Sequence, residues 1–304
     1  MMQKEILTLN FKDISELHKA LGIAGPRHPL FSITRFEELP ALNNPEKVKL
    51  VFDFYQITLK TSCPCQIRYG QTIFDFNEGV VSCFGPRQSS IIDPNFVYAK
   101  SGWLMNIHPE FLRSYGLGQK IKQLGFFDYE INEALILSED EQKSLEVILQ
   151  QLEREYDLPI DKFSQDLIIG CLDVLLSYFN RYYERQFVTR KVAAGGILKK
   201  FEQALDDYFH NRMDQGLPTP RNLADQLNLS TRYLNDLLKQ LTGLTTQQLI
   251  QNKIIDLSKD SLTTTSLSVS EIAYQLGFEY PQSFSKLFKI KTSQTPLEYR
   301  QSFN

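Results

Sequence analysis

Residues 270–289 read SEIAYQLGFEYPQSFSKLFK, and residues 221–239 read RNLADQLNLSTRYLNDLLK. Aligned, they are one pattern written twice: Leu223, Ala224, Leu227, Leu229, Leu234, Leu237, Leu238 and Lys239 are matched by Ile272, Ala273, Leu276, Phe278, Phe284, Leu287, Phe288 and Lys289. The offset is 49 through the first four pairs and 50 through the last four. One extra residue therefore enters the second copy, in the turn or at the start of the following helix.

Each copy reads as a short helix, a tight turn and a second helix. In the first, Pro220 suits a helix start, Asn228 tolerates the left-handed conformation that a turn needs, and Ser230 caps the next helix. In the second, Ser270 is expected to cap, Gly277 supplies the turn without a Cβ penalty, and Pro281 opens the last helix. The small Ala224 and Ala273 let two helices approach at the steep angle of a helix-turn-helix. Between the copies, Gln247 to Lys259 reads as a spacer helix with Leu249, Ile250, Ile254 and Leu257 turned inward.

The exposed side of the second helix in such a motif fits the major groove, which displays distinguishable base edges. The residues expected there are Thr231, Arg232, Asn235, Asp236 and Lys239 in the first copy, and Gln282, Ser283, Lys286 and Lys289 in the second. Arg suits guanine, Asn and Gln suit adenine, and Ser or Lys suit phosphate or mixed contacts. Two such units on one chain can enter successive major grooves, about 34 Å apart, on one face of double-stranded DNA.

Over about residues 197–304 these stretches resemble the AraC/XylS family of transcription regulators. The resemblance lies in Asn222 to Gly243 and Ser270 to Arg300, most specifically in Leu276-Gly277-Phe278, Ser283 to Lys289 and Thr295-Pro296-Leu297-Glu298-Tyr299-Arg300. It implies that Arg232, Asn235, Asp236, Gln282, Ser283 and Lys286 face DNA. The chain departs from the pattern at three places. Asp236 stands where a basic or amide residue contacts DNA more readily, Thr245-Thr246 replaces the pair kept as Thr295-Pro296, and Ser293 stands where a helix-ending Gly is usual.

Upstream, Val48 to His108 alternates short apolar runs with turn signals, among them Ile57/Leu59, Ile67/Tyr69, Thr72 to Phe76 and Val80 to Phe84. Short strands at close spacing predict an antiparallel sandwich or barrel, and the Phe, Tyr, Val and Ile content fits a barrel. Ser138 with Glu141 makes a capping box for a helix bearing Leu145, Leu149 and Leu152 on one side. A second stripe runs through Phe163, Leu167, Cys171, Val174, Leu175, Tyr178, Phe179 and Tyr182. Both helices are expected to close the sheet's core, and the second also has the near-heptad spacing of a dimer seam.

Segments around His28 to Ile33, Gly102 to Leu104, Ile107 to Phe111 and Phe126 to Ala134 resemble a regulator subgroup common in Bacteroidetes. That resemblance implies a cupin-like β-barrel serving as sensor and dimerisation domain.

The expected architecture is thus α+β. Residues 1–190 form a cupin-like sensor and dimerisation domain ending in amphipathic helices, 191–196 a flexible linker around Ala193-Ala194-Gly195-Gly196, and 197–304 a tandem helix-turn-helix domain. Length and apolar content, 304 residues and 42%, suit two domains. Net charge is only −3, split between 20 Lys+Arg against 25 Asp+Glu in residues 1–190 and 13 against 11 in 191–304. Charge alone therefore does not announce a nucleic-acid partner. No apolar run reaches membrane-spanning length and Met1 to Glu5 lacks a signal-peptide pattern, which places the chain in the cytoplasm as an expectation.

Four cysteines, at 63, 65, 83 and 171, are too few and irregular for a disulfide framework and are read as reduced. Cys63, Cys65 and Cys83 could share a thiol or soft-metal site, but small buried hydrophobes are the simpler role. A cupin metal would need converging histidines, and of His18, His28, His108 and His210 no two stand as His-x-His; His108, before Pro109, reads as a strand-end or cap residue. No cofactor, metal or catalytic residue is expected, since nucleophile elbow, phosphate loop and His-Glu-x-x-His are all missing. The expected partners are promoter DNA, a small-molecule effector, RNA polymerase and a second copy of the chain. The competing readings are a cupin-type enzyme with an accessory DNA-binding domain, and a non-enzymatic interaction module.

Overall fold

The computed structural model describes residues 7–40, 47–62, 66–69, 72–75, 79–92, 100–129, 133–189, 191–211 and 216–303. It divides into two compact units, Met1–Gln186 and Phe187–Asn304.

The first unit runs β1 (Leu7–Phe11), α1 (Ile14–Leu21), β2 (Phe31–Arg35), β3 (Val48–Phe52), β4 (Tyr55–Ser62), β5 (Gln66–Tyr69), β6 (Thr72–Asp75), β7 (Val80–Phe84), β8 (Ser89–Ile92), β9 (Ser101–Ile107), α2 (Leu117–Lys120), β10 (Leu135–Ile136), α3 (Glu139–Asp157) and α4 (Ser164–Thr189). Its main sheet has the order β10-β7-β4-β9-β2 and is antiparallel throughout. Side chains alternate across a strand, so register assigns each residue a face. Ile57 lies between Cys83 and Met105, and Leu59 between Val81 and Trp103. All six are buried.

On that apolar face Phe31 stacks edge-on with Tyr156 of α3, and Arg35 donates two hydrogen bonds of 2.5 Å to Glu153 while lying 3.9 Å over the Trp103 ring. Leu145, Leu149 and Leu152 of α3 are wholly buried, each contributing about 1.5–3 kcal/mol by removal from water. The Ser138–Glu141 capping box starts α3 as expected, and Glu141 also accepts from Arg185. The opposite face of the sheet is polar yet buried. Ser32, Thr58, Ser82 and Asn106 lie there; Asn106 accepts from Gln56 at 3.1 Å and donates to Ser32 at 3.0 Å, while the Thr58 hydroxyl has no partner among the described residues.

The expected barrel is not what forms. Among the described residues the strands make three sheets, of five, three and two strands, and the pair β1–β3 is parallel. A barrel closes only when its edge strands pair with each other, whereas β10, at one edge of the main sheet, is two residues long. Alternation marks where strands lie but carries no information on which strands meet.

The second unit contains α5 (Lys191–Asn211), α6 (Pro220–Leu227), α7 (Thr231–Thr242), α8 (Thr246–Thr264), α9 (Val269–Gln275), α10 (Pro281–Thr292) and α11 (Pro296–Gln301). It is all-helical, with both sequence copies in a single apolar cluster that includes Leu223, Leu234, Leu238, Ile272, Phe284 and Phe288. Residues 191–196, expected as a flexible linker, form the opening turns of α5. Two glycines cost a helix about 1 kcal/mol each relative to alanine, which the burial of Phe201, Leu205, Tyr208 and Phe209 farther along the same helix outweighs. Among the described residues no helix is long and apolar enough to cross a membrane.

Candidate nucleic-acid interface

The turn between α6 and α7 and the turn between α9 and α10 are built from the same bonds. Asn228 and Gly277 are both left-handed, with φ of 55° and 88°. Leu229 N–H donates to Ala224 O and Phe278 N–H to Ala273 O, each at 3.0 Å; Asn228 N–H donates to Asp225 O and Gly277 N–H to Tyr274 O at 3.2 and 3.0 Å. These paired bonds satisfy carbonyls that a helix end leaves open. The left-handed residues are 49 apart while Thr231 and Pro281, which open α7 and α10, are 50 apart. The extra residue therefore sits in the turn, and the recognition helices keep a common frame.

Caps differ in detail. Ser230 accepts from Tyr233 N–H at 3.1 Å, as expected. In the second copy the cap of α9 is Ser268, not Ser270: Ser268 accepts from Glu271 N–H, and the Glu271 carboxylate accepts from Ser268 N–H at 2.7 Å. Only a Ser three residues before the Glu completes the reciprocal box. Those hydrogen bonds hold the Glu271 carboxyl below its ordinary pKa.

The structural repeat outruns the eight residue pairs visible in sequence. Thr242 and Thr292 each donate to a carbonyl four residues back, Leu238 and Phe288, at 2.8 Å; Gly243 and Ser293 follow in the left-handed region. Thr245/Gln248 and Thr295/Glu298 then form capping boxes for α8 and α11. Ser293 does keep the left-handed turn without being glycine, at a cost of about 1 kcal/mol.

The replacement of proline by Thr246 has a local answer. Pro296 has no N–H, but Thr246 has one, and it donates to Asn235 Oδ1 at 3.2 Å. Asn235, expected to meet adenine, thus satisfies the backbone of the next helix; Ser285 occupies the matching place in the second copy. Thr246 is also fully buried, and among the described residues its hydroxyl has no partner. Thr246→Pro takes away the N–H that Asn235 Oδ1 accepts from and leaves that half-buried oxygen without its donor, so although Pro296 shows that the backbone here admits proline, it should lower stability by about 1 kcal/mol. Thermal unfolding of the full chain checks this, and a higher midpoint would sink the account.

Of the nine side chains expected at DNA, Thr231, Arg232, Lys239, Gln282, Ser283, Lys286 and Lys289 are exposed, and Asn235 and Asp236 are half-buried. Asp236 accepts from Arg232 Nε at 3.3 Å, one turn away. It therefore orients the guanidinium and lowers the net charge of α7 to +1, against +3 for α10, which carries three lysines and no acid. Sequence reasoning missed the third, Lys291, which has no counterpart in the first copy; its ammonium donates to Asn252 of α8 at 3.2 Å. Buried Ile250, Ile254, Ile255 and Leu262 seat the spacer α8 in the core.

Gly277 fixes the second turn against the loop before α6. A Cβ on it would lie 2.8 Å from the backbone carbon of Gly216 and 2.9 Å from its oxygen.

Residues 223–302 match the family model of a helix-turn-helix domain. The C-terminal unit is an AraC-type helix-turn-helix domain. Over 97 residues the chain is 34% identical to the HTH-type transcriptional activator RhaS of Escherichia coli, covering 32% of this chain and 33% of that one. Over 108 residues it is 29% identical to Histidine kinase P4 of Formosa agariphila, covering 36% of this chain and 8% of that one. The chain thus spans about a third or less of these curated relatives. Among solved structures, the C-terminal domain of the two-component response regulator yesN from Fusobacterium nucleatum is 31% identical, covering 31% of this chain and 96% of that one, with a TM-score of 0.27.

In the first unit the candidate chemistry disperses. His108 caps the short helical turn Pro109–Leu112, accepting from Glu110 N–H at 3.3 Å. His28 Nδ1 accepts from Leu30 N–H at 3.1 Å, and burial lowers its pKa. Cys83 is buried, which pushes its thiol well above the ordinary range; Cys63 and Cys65 lie outside the described residues. Among the described residues no three His, Cys, Asp or Glu are grouped to hold a metal ion.

Proposed function

We propose that this chain is a sequence-specific transcription regulator that binds promoter DNA as a homodimer, each copy placing α7 and α10 in successive major grooves. The observation that carries this reading is the pair of matched turns, each followed by a helix with an exposed polar side, in an AraC-type domain. The weak positive charge implies modest non-specific affinity, because phosphate neutralisation supplies most of that term. Dimerisation then supplies the rest by joining two sets of contacts.

The N-terminal unit, in the same proposal, is a sensor in the cytoplasm rather than an enzyme, and RNA polymerase is the partner downstream. The support for a small effector is the polar, buried face of the main sheet, where the Thr58 hydroxyl lacks a hydrogen bond among the described residues. Buried polar groups are normally satisfied, and a ligand bearing a hydroxyl or carbonyl would satisfy this one. Footprinting on DNA recovered by genome-wide mapping tests the proposal. The full chain should protect patches about one helical turn apart on one face of the duplex, and residues 187–304 alone should bind more weakly. Equal affinity and footprint for the two would remove the coupling between units, and no protected site would remove the regulator reading itself.

A further inference from the structure

The two sequence copies share an interior and a turn geometry but differ in what they leave in water. Among the described residues of the C-terminal unit, the large apolar side chains that stay exposed are Tyr274, Tyr280, Ile290, Leu297 and Phe303, all in the second copy or beyond it. At the places that match Tyr274, Ile290 and Leu297, the first copy carries exposed Asp225, Gln240 and Gln247. One exposed apolar group needs no explanation, whereas a set confined to one of two equivalent units does.

Tyr280 is the member of this set that stands at the start of α10. It holds the N-cap position, as Ser230 does before α7. Ser230 accepts from Tyr233 N–H with its hydroxyl, but the Tyr280 side chain makes no capping bond. Pro281 has no N–H to satisfy, and Ser283 N–H donates to the Tyr280 backbone oxygen at 3.0 Å. Nothing in the start of the helix therefore requires a tyrosine, and the residue is 60% exposed. The same backbone bond sets Tyr280 one turn ahead of Ser283, next to Gln282.

We propose that Tyr280 reads a thymine, its ring packing on the C5 methyl group of that base in the major groove that α10 enters. The inference rests on the groove placement proposed above and names a base contact within it. A recognition helix meets base edges with its N-terminal residues, and of the four bases only thymine presents a methyl group there. The other contact open to a tyrosine is a hydroxyl bond to phosphate. Exposed Glu279, the neighbouring residue, disfavours it, because its carboxylate is repelled by the backbone charge. With Gln282 suited to adenine two residues on, α10 becomes a reader of A·T pairs.

Replacing single thymines by deoxyuridine, which removes the methyl group alone, tests this on the duplex recovered by genome-wide mapping. At one thymine the exchange should weaken wild-type binding by about fourfold, the ratio for one methyl group returned to water. Tyr280→Ala should bind the thymine duplex at least about fourfold more weakly and no longer distinguish it from the deoxyuridine duplex. Tyr280→Phe keeps the ring, so it should retain both the affinity and the discrimination. Far-ultraviolet circular dichroism and the thermal midpoint should be unchanged in both variants, since the side chain is exposed and caps nothing.

If Tyr280→Ala still discriminates as the wild type does, or binds as tightly, the ring meets no methyl group and its exposure serves another surface. If Tyr280→Phe behaves like Tyr280→Ala, the hydroxyl makes the contact and the thymine assignment is wrong. If no thymine is sensitive while the duplex is still bound specifically, the contact falls and the regulator reading stands. A wild type that binds none of the recovered duplexes specifically removes both.

Discussion

Gly277→Ala should destabilise the C-terminal unit by about 2–5 kcal/mol: about 1–2 for a side chain in the left-handed region and about 1–3 for forcing a Cβ against backbone. The Gly216 carbon and oxygen, 2.8 and 2.9 Å from that Cβ, are not flexible side-chain ends and cannot swing away. Asn228 holds the matching place at φ 55° and is already a non-glycine residue. Asn228→Ala should therefore cost only about 1 kcal/mol. Chemical denaturation followed by far-ultraviolet circular dichroism reads both. DNA binding should fall with Gly277→Ala in proportion to the fraction unfolded, and a Gly277→Ala chain as stable as wild type would refute the close approach.

The second large effect lies on DNA itself. Lys286→Ala/Lys289→Ala removes two of the three lysines of α10 without touching its core residues Phe284 and Phe288. Binding should weaken nearly uniformly across sequences, and the slope of log affinity against log salt should shrink by about 2, one for each ammonium that no longer neutralises a phosphate. At physiological salt the affinity should drop by about ten- to a hundredfold. Arg232→Ala should weaken binding less, because Asp236 already offsets that guanidinium. Titrations at several salt concentrations distinguish the two, and an unchanged slope for the double variant would mean that α10 does not lie on the DNA backbone.

Legibility in the sequence followed the range of the interaction. Asn228, Gly277, Ser230 and the Ser138–Glu141 box were readable because each is decided within a few residues, by backbone sterics or by one amide's need for an acceptor. So was the tandem repeat, whose apolar positions must coincide for two copies to bury the same faces. The strands β4 to β7 were also readable, but their assembly was not: alternation is the same in a barrel and in separate sheets. The helix through 191–196 was hidden because small residues suit a linker and a helix alike until burial farther along decides. Asn235 shows the limit most clearly. Its type and position suited adenine, yet its oxygen is taken by Thr246 N–H, eleven residues on, a need that exists only because a proline is absent there.

The two sequence copies do not own separate interiors. Leu223 and Leu234 of one share a cluster with Ile272 and Phe288 of the other, and α8 runs between them as part of the same core. The distance between the two reading helices is therefore set by packing rather than by a tether, as the span of a caliper is set by its frame. A lesion in either copy is felt at both contacts, because neither reader can loosen without opening the interior that measures them both.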